Sequence, residues 1–265
     1  MQYPSLFACL LGVLLLGGCA AHSTSAAPHA SSERGILLRS LSLNGQTHRY
    51  AIYIPATYDP ATPTPTILFL HGSGECGTDG QKQAIVGLGS AAMLRPADYP
   101  FIIIFPQKPD SGQEWEAYDD LVMATLEATR RELNCDPRRL YLTGLSQGGH
   151  GTWTIASLHP DLFAALAPVC AYGPSRRTPT PGVDTDPAAL AKKIKHLPIW
   201  AFHGEKDSVV PVDASKAMIV AIKAAQSPAD PAPKLTLFAD DDHNSWDNAY
   251  RNSKLGDWLL THAKR

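Results

Sequence analysis

Residues 140–153 read L-Y-L-T-G-L-S-Q-G-G-H-G-T-W. Residues 140–143 alternate and carry Leu and Tyr, the pattern of a strand, and from Gly148 a helical pattern runs on through Trp153, Ile155, Ala156 and Leu158. Between the two stands Gly144-Leu145-Ser146-Gln147-Gly148, a G-x-S-x-G. A strand that reverses directly into a helix leaves its middle residue on a strained turn, and small flanking residues let strand and helix approach closely. Ser146 Oγ is then expected to stand exposed above a sheet. The helix start behind it presents unpaired N–H groups, of which that of Gln147 is placed to meet a developing oxyanion. A bare G-x-S-x-G also arises as a plain turn with a capping serine. The strand on one side and the helix on the other favour a nucleophile elbow.

Working outward, residues 66–70, T-I-L-F-L, form a continuous apolar run of the kind expected for a strand buried on both faces. They lead into His71-Gly72-Ser73-Gly74-Glu75-Cys76-Gly77, whose glycines permit a backbone nest converging on an anion. The N–H of Ser73, with Gly74 next, is the expected second oxyanion donor, and His71 reads as a residue that braces this loop. Residues 101–105, F-I-I-I-F, are a second buried strand, and residues 118–133 an amphipathic helix with Leu121, Val122, Thr125, Leu126, Thr129 and Leu133 along one side. Residues 81–94 carry a looser helical pattern broken by Gly87 and Gly89. Beyond the elbow, strands are expected at 162–169, 199–203 and 234–238, and helices at 213–225 and 246–262. Upstream of all these, residues 36–43 and 47–54 alternate around Asn44-Gly45, a hairpin signal. The fold class is therefore α/β, with a mostly parallel central sheet, an N-terminal antiparallel hairpin and helices on both faces. Residues 170–187 are polar, Pro-rich and without periodicity, which suits either a rim loop over the site or a surface insertion.

A serine hydroxyl needs a base within hydrogen-bond reach, and that imidazole needs an acid to fix its tautomer. In an open parallel sheet the site lies beyond the carboxyl ends of the strands, so the partners of Ser146 should sit in loops directly after later strands. Asp207 follows the strand at 199–203, and His243 follows the strand at 234–238. The order Ser, Asp, His is that of the α/β-hydrolases. Asp213 reads as a helix cap. Asp240, Asp241 and Asp242 crowd His243 in sequence, but neighbours on a turn rarely face the same ring. His150, one turn into the elbow helix, is a candidate pocket residue, and Trp246 is expected to pack against the His243 loop. Trp115 and Tyr172 are aromatic candidates for a substrate or for the core.

The blocks L-F-L-H-G-S-G-E, V-G-L-G, Y-L-T-G-L-S-Q-G-G-H-G-T-W, W-A-F-H-G-E-K-D-S-V-V-P and D-H-N-S-W-D together resemble secreted α/β-hydrolases of the phospholipase/carboxylesterase type, including feruloyl esterase-like and polyhydroxybutyrate depolymerase-like enzymes. The resemblance runs over residues 49–260. It implies a serine esterase with Ser146, Asp207 and His243 as its triad, an acyl-enzyme intermediate, and small-molecule or polysaccharide-linked ester substrates. Such chemistry needs no metal or organic cofactor. The sequence departs from the family pattern at Cys76, where Arg often follows Gly-Glu, and at His150, where an aromatic is common. Two other readings are a peptidase of the prolyl-oligopeptidase type and a non-catalytic lipoprotein that keeps the fold and binds an envelope partner. No second domain to gate peptides is visible, and a binding role needs none of the three triad residues.

The chain has 265 residues, 44% hydrophobic and 18% charged, with a formal net charge of −2, so nothing in the charge balance argues for nucleic acid or for disorder. Residues 6–16 form a short apolar run ending in Leu16-Gly17-Gly18-Cys19, which reads as a lipoprotein signal peptide over residues 1–18 with Cys19 as the lipidated N-terminus; an ordinary cleavage near Ala20-Ala21 is the alternative. Residues 19–33 read as a flexible tether, and residues 34–265 as the catalytic domain. Membrane contact is then expected only through the lipid, with an exported, envelope-bound protein. Of five cysteines, Cys76, Cys135 and Cys170 fall in the domain, and none has metal-ligand spacing. Cys76 and Cys170 both follow strands expected to flank the central one, which makes them the expected disulfide pair.

Overall fold

Asn44 and Gly45 both take positive φ, 51° and 77°, as a two-residue type I′ turn requires. They join β1 (Gly35–Leu43) to β2 (Gln46–Ile54) in unbroken antiparallel register from Gly35↔Ile54 to Leu43↔Gln46. The computed structural model describes Met1 and residues 32–264, so the expected leader, Cys19 and most of the expected tether lie outside the described residues. After the hairpin come β3 (Thr64–Leu70), β4 (Ile102–Phe105), β5 (Cys135–Leu145), β6 (Ala165–Val169), β7 (Trp200–Gly204) and β8 (Lys234–Phe238). They assemble into one eight-stranded sheet in the order β1-β2-β4-β3-β5-β6-β7-β8. Pairing is antiparallel at β1–β2 and β2–β4 and parallel from β4 to β8. This is the α/β-hydrolase fold.

The continuous apolar runs of β3 and β4 follow from burial on both sides. Leu68, Leu70, Ile102 and Ile104 point to one face, covered by α2 (Asp119–Glu132), α3 (Gln147–Leu158), α4 (Pro187–Ile194) and α5 (Asp213–Ala225) through Val122, Trp153, Ile194 and Met218 among others. Their sequence neighbours Ile67, Phe69, Ile103 and Phe105 point to the other face, under α1 (Leu88–Leu94), α6 (Trp246–Asn252) and α7 (Leu255–Leu260). Each such side chain fully withdrawn from water contributes about 1.5–3 kcal/mol. With β3 and β5 adjacent at the centre of the sheet, the loops at their carboxyl ends are neighbours by construction.

Several elements differ from the sequence expectation for identifiable reasons. The expected closing helix over 246–262 is two helices, because Lys254 adopts a left-handed φ of 63° between α6 and α7. Residues 81–94 hold a single 3-10 turn, Lys82–Ala84, and then α1, the break falling at Gly87 with φ 55°. The helix α4 was not anticipated; Asp186 caps it, accepting from Ala188 N at 2.9 Å and Ala189 N at 3.3 Å, and Pro187 occupies the first turn. Asp213 is the first residue of α5 and makes no cap bond, so its contribution is limited to its charge at the positive end of the helix. The expected Cys76–Cys170 disulfide does not form: Cys76, Cys135 and Cys170 are all free. Cys170 is fully buried with its Sγ turned under the elbow, accepting from Ser146 N at 3.2 Å, and burial pushes its thiol well up from the ordinary range. Cys76 sits half-buried on the loop after β3, beside Lys108.

Candidate active site

Ser146 joins β5 to α3 with φ 54° and ψ −115°, a conformation a non-glycine residue holds at a cost of about 1–3 kcal/mol. Its flanking glycines make the turn possible. A Cβ on Gly144 would lie 2.3 Å from Gly148 O, and one on Gly148 would lie 1.9 Å from Leu70 O, so no side chain fits where β5, α3 and β3 meet. Ser146 N donates to Val169 O at 3.0 Å, which ties the elbow to β6. The first helical bond of α3 runs from His150 N to Ser146 O at 3.0 Å, leaving the N–H groups of residues 147–149 without an intrahelical acceptor.

Two later loops deliver the partners. Asp207 follows β7 and His243 follows β8, and His243 Nδ1 lies 2.8 Å from Asp207 Oδ2 while its Nε2 lies 2.9 Å from Ser146 Oγ. The three residues expected from the sequence are thus brought into one hydrogen-bonded line. The Asp207 side chain is fully buried, and its Oδ1 accepts from Val209 N at 2.9 Å and Val210 N at 2.8 Å, so the carboxylate cannot swing away. Asp242 stitches the two loops together, accepting from Ser208 N at 2.7 Å, Ser208 Oγ at 2.9 Å and His243 N at 2.8 Å. Those backbone and hydroxyl donors on the Ser208 loop, with His243 N, hold the Asp242 carboxyl below its usual range. Asp240 pairs with Lys206 and Asp241 with Asn248, so none of the three aspartates takes the place of Asp207. Trp246 meets the His243 ring edge-on at 5.5 Å, packing it as expected.

The loop after β3 is held from below. His71 is buried; its Nδ1–H donates to Gly72 O at 2.6 Å, its Nε2 accepts from Lys108 N at 3.2 Å, and its carbonyl accepts from Trp115 Nε1 at 3.0 Å. Burial pulls the imidazole down to about 3, so it stays neutral and braces the loop rather than moving protons. Ser73, at the start of the 3-10 turn Ser73–Glu75, and Gln147 both line the cavity in front of Ser146, where the sequence placed the oxyanion donors. The Gln147 side chain turns away, donating from Nε2 to Ser111 O at 3.2 Å and Gln113 O at 3.1 Å.

That cavity measures about 120 Å³ and is completed by Tyr172, Arg176, Arg177, Val209 and Val210. Residues 172–177 belong to the Pro-rich segment, which therefore serves as a rim of the site. Among the aromatic candidates, Tyr172 reaches the cavity, while Trp115 is buried against Gly151 and under His71. His150 does not line it: the ring is buried, stacked on Tyr172 at 4.8 Å, with Nε2 3.4 Å from Glu116. Val209, Val210, Arg176 and Arg177 had no signal in the sequence beyond nearness to Asp207 or to a loop. His203 stands within β7; it lies buried with Nε2 2.9 Å from Val210 O and 3.1 Å from Asp207 Oδ2, a second imidazole against the same carboxylate.

The model of the family Esterase, described as "Putative esterase", matches residues 40–232, most of the chain. The chain belongs to the Esterase family. Among its relatives, "Putative esterase NocK" from Nocardia uniformis subsp. tsuyamanensis is 25% identical over 184 residues, covering 66% of this chain and 49% of that protein. Feruloyl esterase B from Neurospora crassa is 29% identical over 163 residues, covering 54% of this chain and 52% of that protein. The chain thus spans about half the length of these two relatives. A solved structure described as a thermostable esterase is 28% identical, with a TM-score of 0.69, over 86% of this chain and 63% of that one.

Proposed function

We propose that the protein hydrolyses carboxylic esters through Ser146, His243 and Asp207, by way of an acyl-enzyme. The observation that carries this reading is the line Ser146 Oγ, His243, Asp207, at 2.9 and 2.8 Å, opening onto a cavity at the N-terminus of a helix. Membership of the Esterase family supports it from a different direction. Ser146 Oγ attacks the ester carbonyl as His243 Nε2 takes its proton, and Asp207 Oδ2 holds the Nδ1–H and stabilises the imidazolium. The carbonyl oxygen becomes an oxyanion facing the N–H groups of Ser73 and Gln147. His243 then returns the proton to the leaving alcohol, and water repeats the sequence on the acyl-serine. The named activities of relatives, feruloyl ester and acetylxylan ester hydrolysis, favour small or polysaccharide-linked esters as the substrate class.

The test is a fluorophosphonate probe applied to the folded protein and to Ser146→Ala, with the labelled peptide found by mass spectrometry. Labelling is expected only on Ser146, together with a loss of ester turnover by several orders of magnitude in Ser146→Ala. Ester hydrolysis that survives in that variant would remove the assignment.

A further inference from the structure

The rim of the cavity carries two positive charges that have no ionic partner among the described residues. Arg176 and Arg177 both line the space in front of Ser146, and among the described residues neither guanidinium has a carboxylate within ion-pair distance. Arg176 is positioned: its Nη1 donates to Val209 O at 3.0 Å, and its guanidinium lies 5.3 Å from the Tyr172 ring centroid. This contact bridges the 172–177 rim to the loop that carries Asp207. Arg177 is not engaged in this way, since its hydrogen bonds involve only its backbone, with Ser175 Oγ at 3.3 and 3.4 Å.

The carboxylates nearby are spent elsewhere. Glu114 is buried and accepts the Tyr172 hydroxyl at 3.0 Å on both oxygens and Arg176 N at 3.2 Å, while Asp207 holds His243. Glu114 therefore fastens Tyr172 and the Arg176 backbone into the rim without neutralising either side chain. Both arginines line the same cavity, so an anion drawn to its rim meets the positive charge of both. Arg177 is exposed on the rim, and its guanidinium presents a planar fork of donors that matches a carboxylate.

We infer that Arg176 and Arg177 form an anion subsite that makes the enzyme prefer esters bearing a carboxylate near the scissile bond. The inference rests on the serine esterase reading of the same cavity. Arg176 sets the position of the subsite through Val209 and Tyr172, and Arg177 supplies the fork. The carboxylate belongs either to the acyl side, as in a half-ester of a dicarboxylic acid, or to the alcohol side, as in an ester of a hydroxy acid.

Two substrate pairs separate these sources. Monoethyl adipate against ethyl valerate probes the acyl side, and 3-acetoxybenzoate against 3-acetoxybenzamide probes the alcohol side. In at least one pair the anionic ester is expected to have a kcat/KM about tenfold above its neutral counterpart. That ratio should fall to near one in Arg177→Gln, keep part of its value in Arg177→Lys, and shrink as salt is added. A ratio near one in the unmodified protein for both pairs, or one unaffected by Arg177→Gln, overturns the inference. Calorimetry of the four esters with Ser146→Ala protein reads the subsite without turnover. Binding of an anionic ester that Arg177→Gln abolishes supports it; no such binding, or binding that survives, overturns it. If the unmodified protein hydrolyses none of the four esters and the fluorophosphonate probe leaves Ser146 unlabelled, but Ser146→Ala binds an anionic ester through Arg177, the esterase reading fails and the anion subsite stands.

Discussion

Asp207 shows how one side chain is constrained from every direction. Its Oδ1 is occupied by the Val209 and Val210 amides, so only Oδ2 faces His243, with His203 at 3.1 Å beside it. In Asp207→Asn the amide oxygen must stay on the two backbone donors, which turns the NH₂ group toward His243 Nδ1. The imidazole then accepts at Nδ1 and carries its proton on Nε2, facing Ser146 Oγ, where it cannot act as a base. A loss of about 10³–10⁴-fold in kcat is expected, with far-UV circular dichroism unchanged. A loss under tenfold would mean that Asp207 does not set the tautomer. The contact with His243 was legible because an acid partner for an imidazole is expected in a loop directly after a late strand. Arg176 and Arg177 were not legible, since a basic pair in a Pro-rich stretch is the same string whether it faces solvent or a cavity.

At the scale of an element, the loop after β3 is built on a histidine that must remain neutral. His71 has an ordinary value of 6.5 in the unfolded chain and about 3 when folded, the cause being burial. The folded state therefore binds fewer protons than the unfolded state below pH 6.5. The stabilisation is complete above that pH and is lost as pH falls toward 3, with a slope of up to about 1.4 kcal/mol per pH unit. His71→Asn should lower stability at neutral pH yet flatten this slope, which urea unfolding of both proteins across the acid range measures. Parallel slopes would show that His71 does not stay neutral in the fold. Element boundaries follow a similar logic. The hairpin was legible because Asn-Gly encodes positive φ locally, whereas the break at Lys254 was not, because a left-handed lysine is imposed by docking α6 and α7 on the same sheet face.

For the whole molecule, the sheet order decides which residues meet. β3 and β6 flank β5, so the loops bearing Cys76 and Cys170 do flank the elbow, as the expectation of a disulfide required. Yet Cys170 Sγ points beneath Ser146 and Cys76 lies with Lys108, so proximity of loops does not become proximity of sulfurs. Unfolding temperature is accordingly expected to be the same with and without a reductant. A bridge worth about 2–4 kcal/mol would show as a drop of several degrees on reduction.

By itself the sequence determined the class of fold, the elbow at Ser146 and the order of its partners. Each of these is written in local chemistry: hydrophobic runs of strand length, glycines where backbones collide, and polar residues placed directly after strands. Only the tertiary structure decided that Glu114 is spent on Tyr172, that Trp115 belongs to the core, that Cys170 supports the elbow as a thiol, and that Arg176 and Arg177 face the cavity. These depend on side-chain direction across loops of no regular period, where contacts between distant segments, and not the neighbours in sequence, fix what each residue touches.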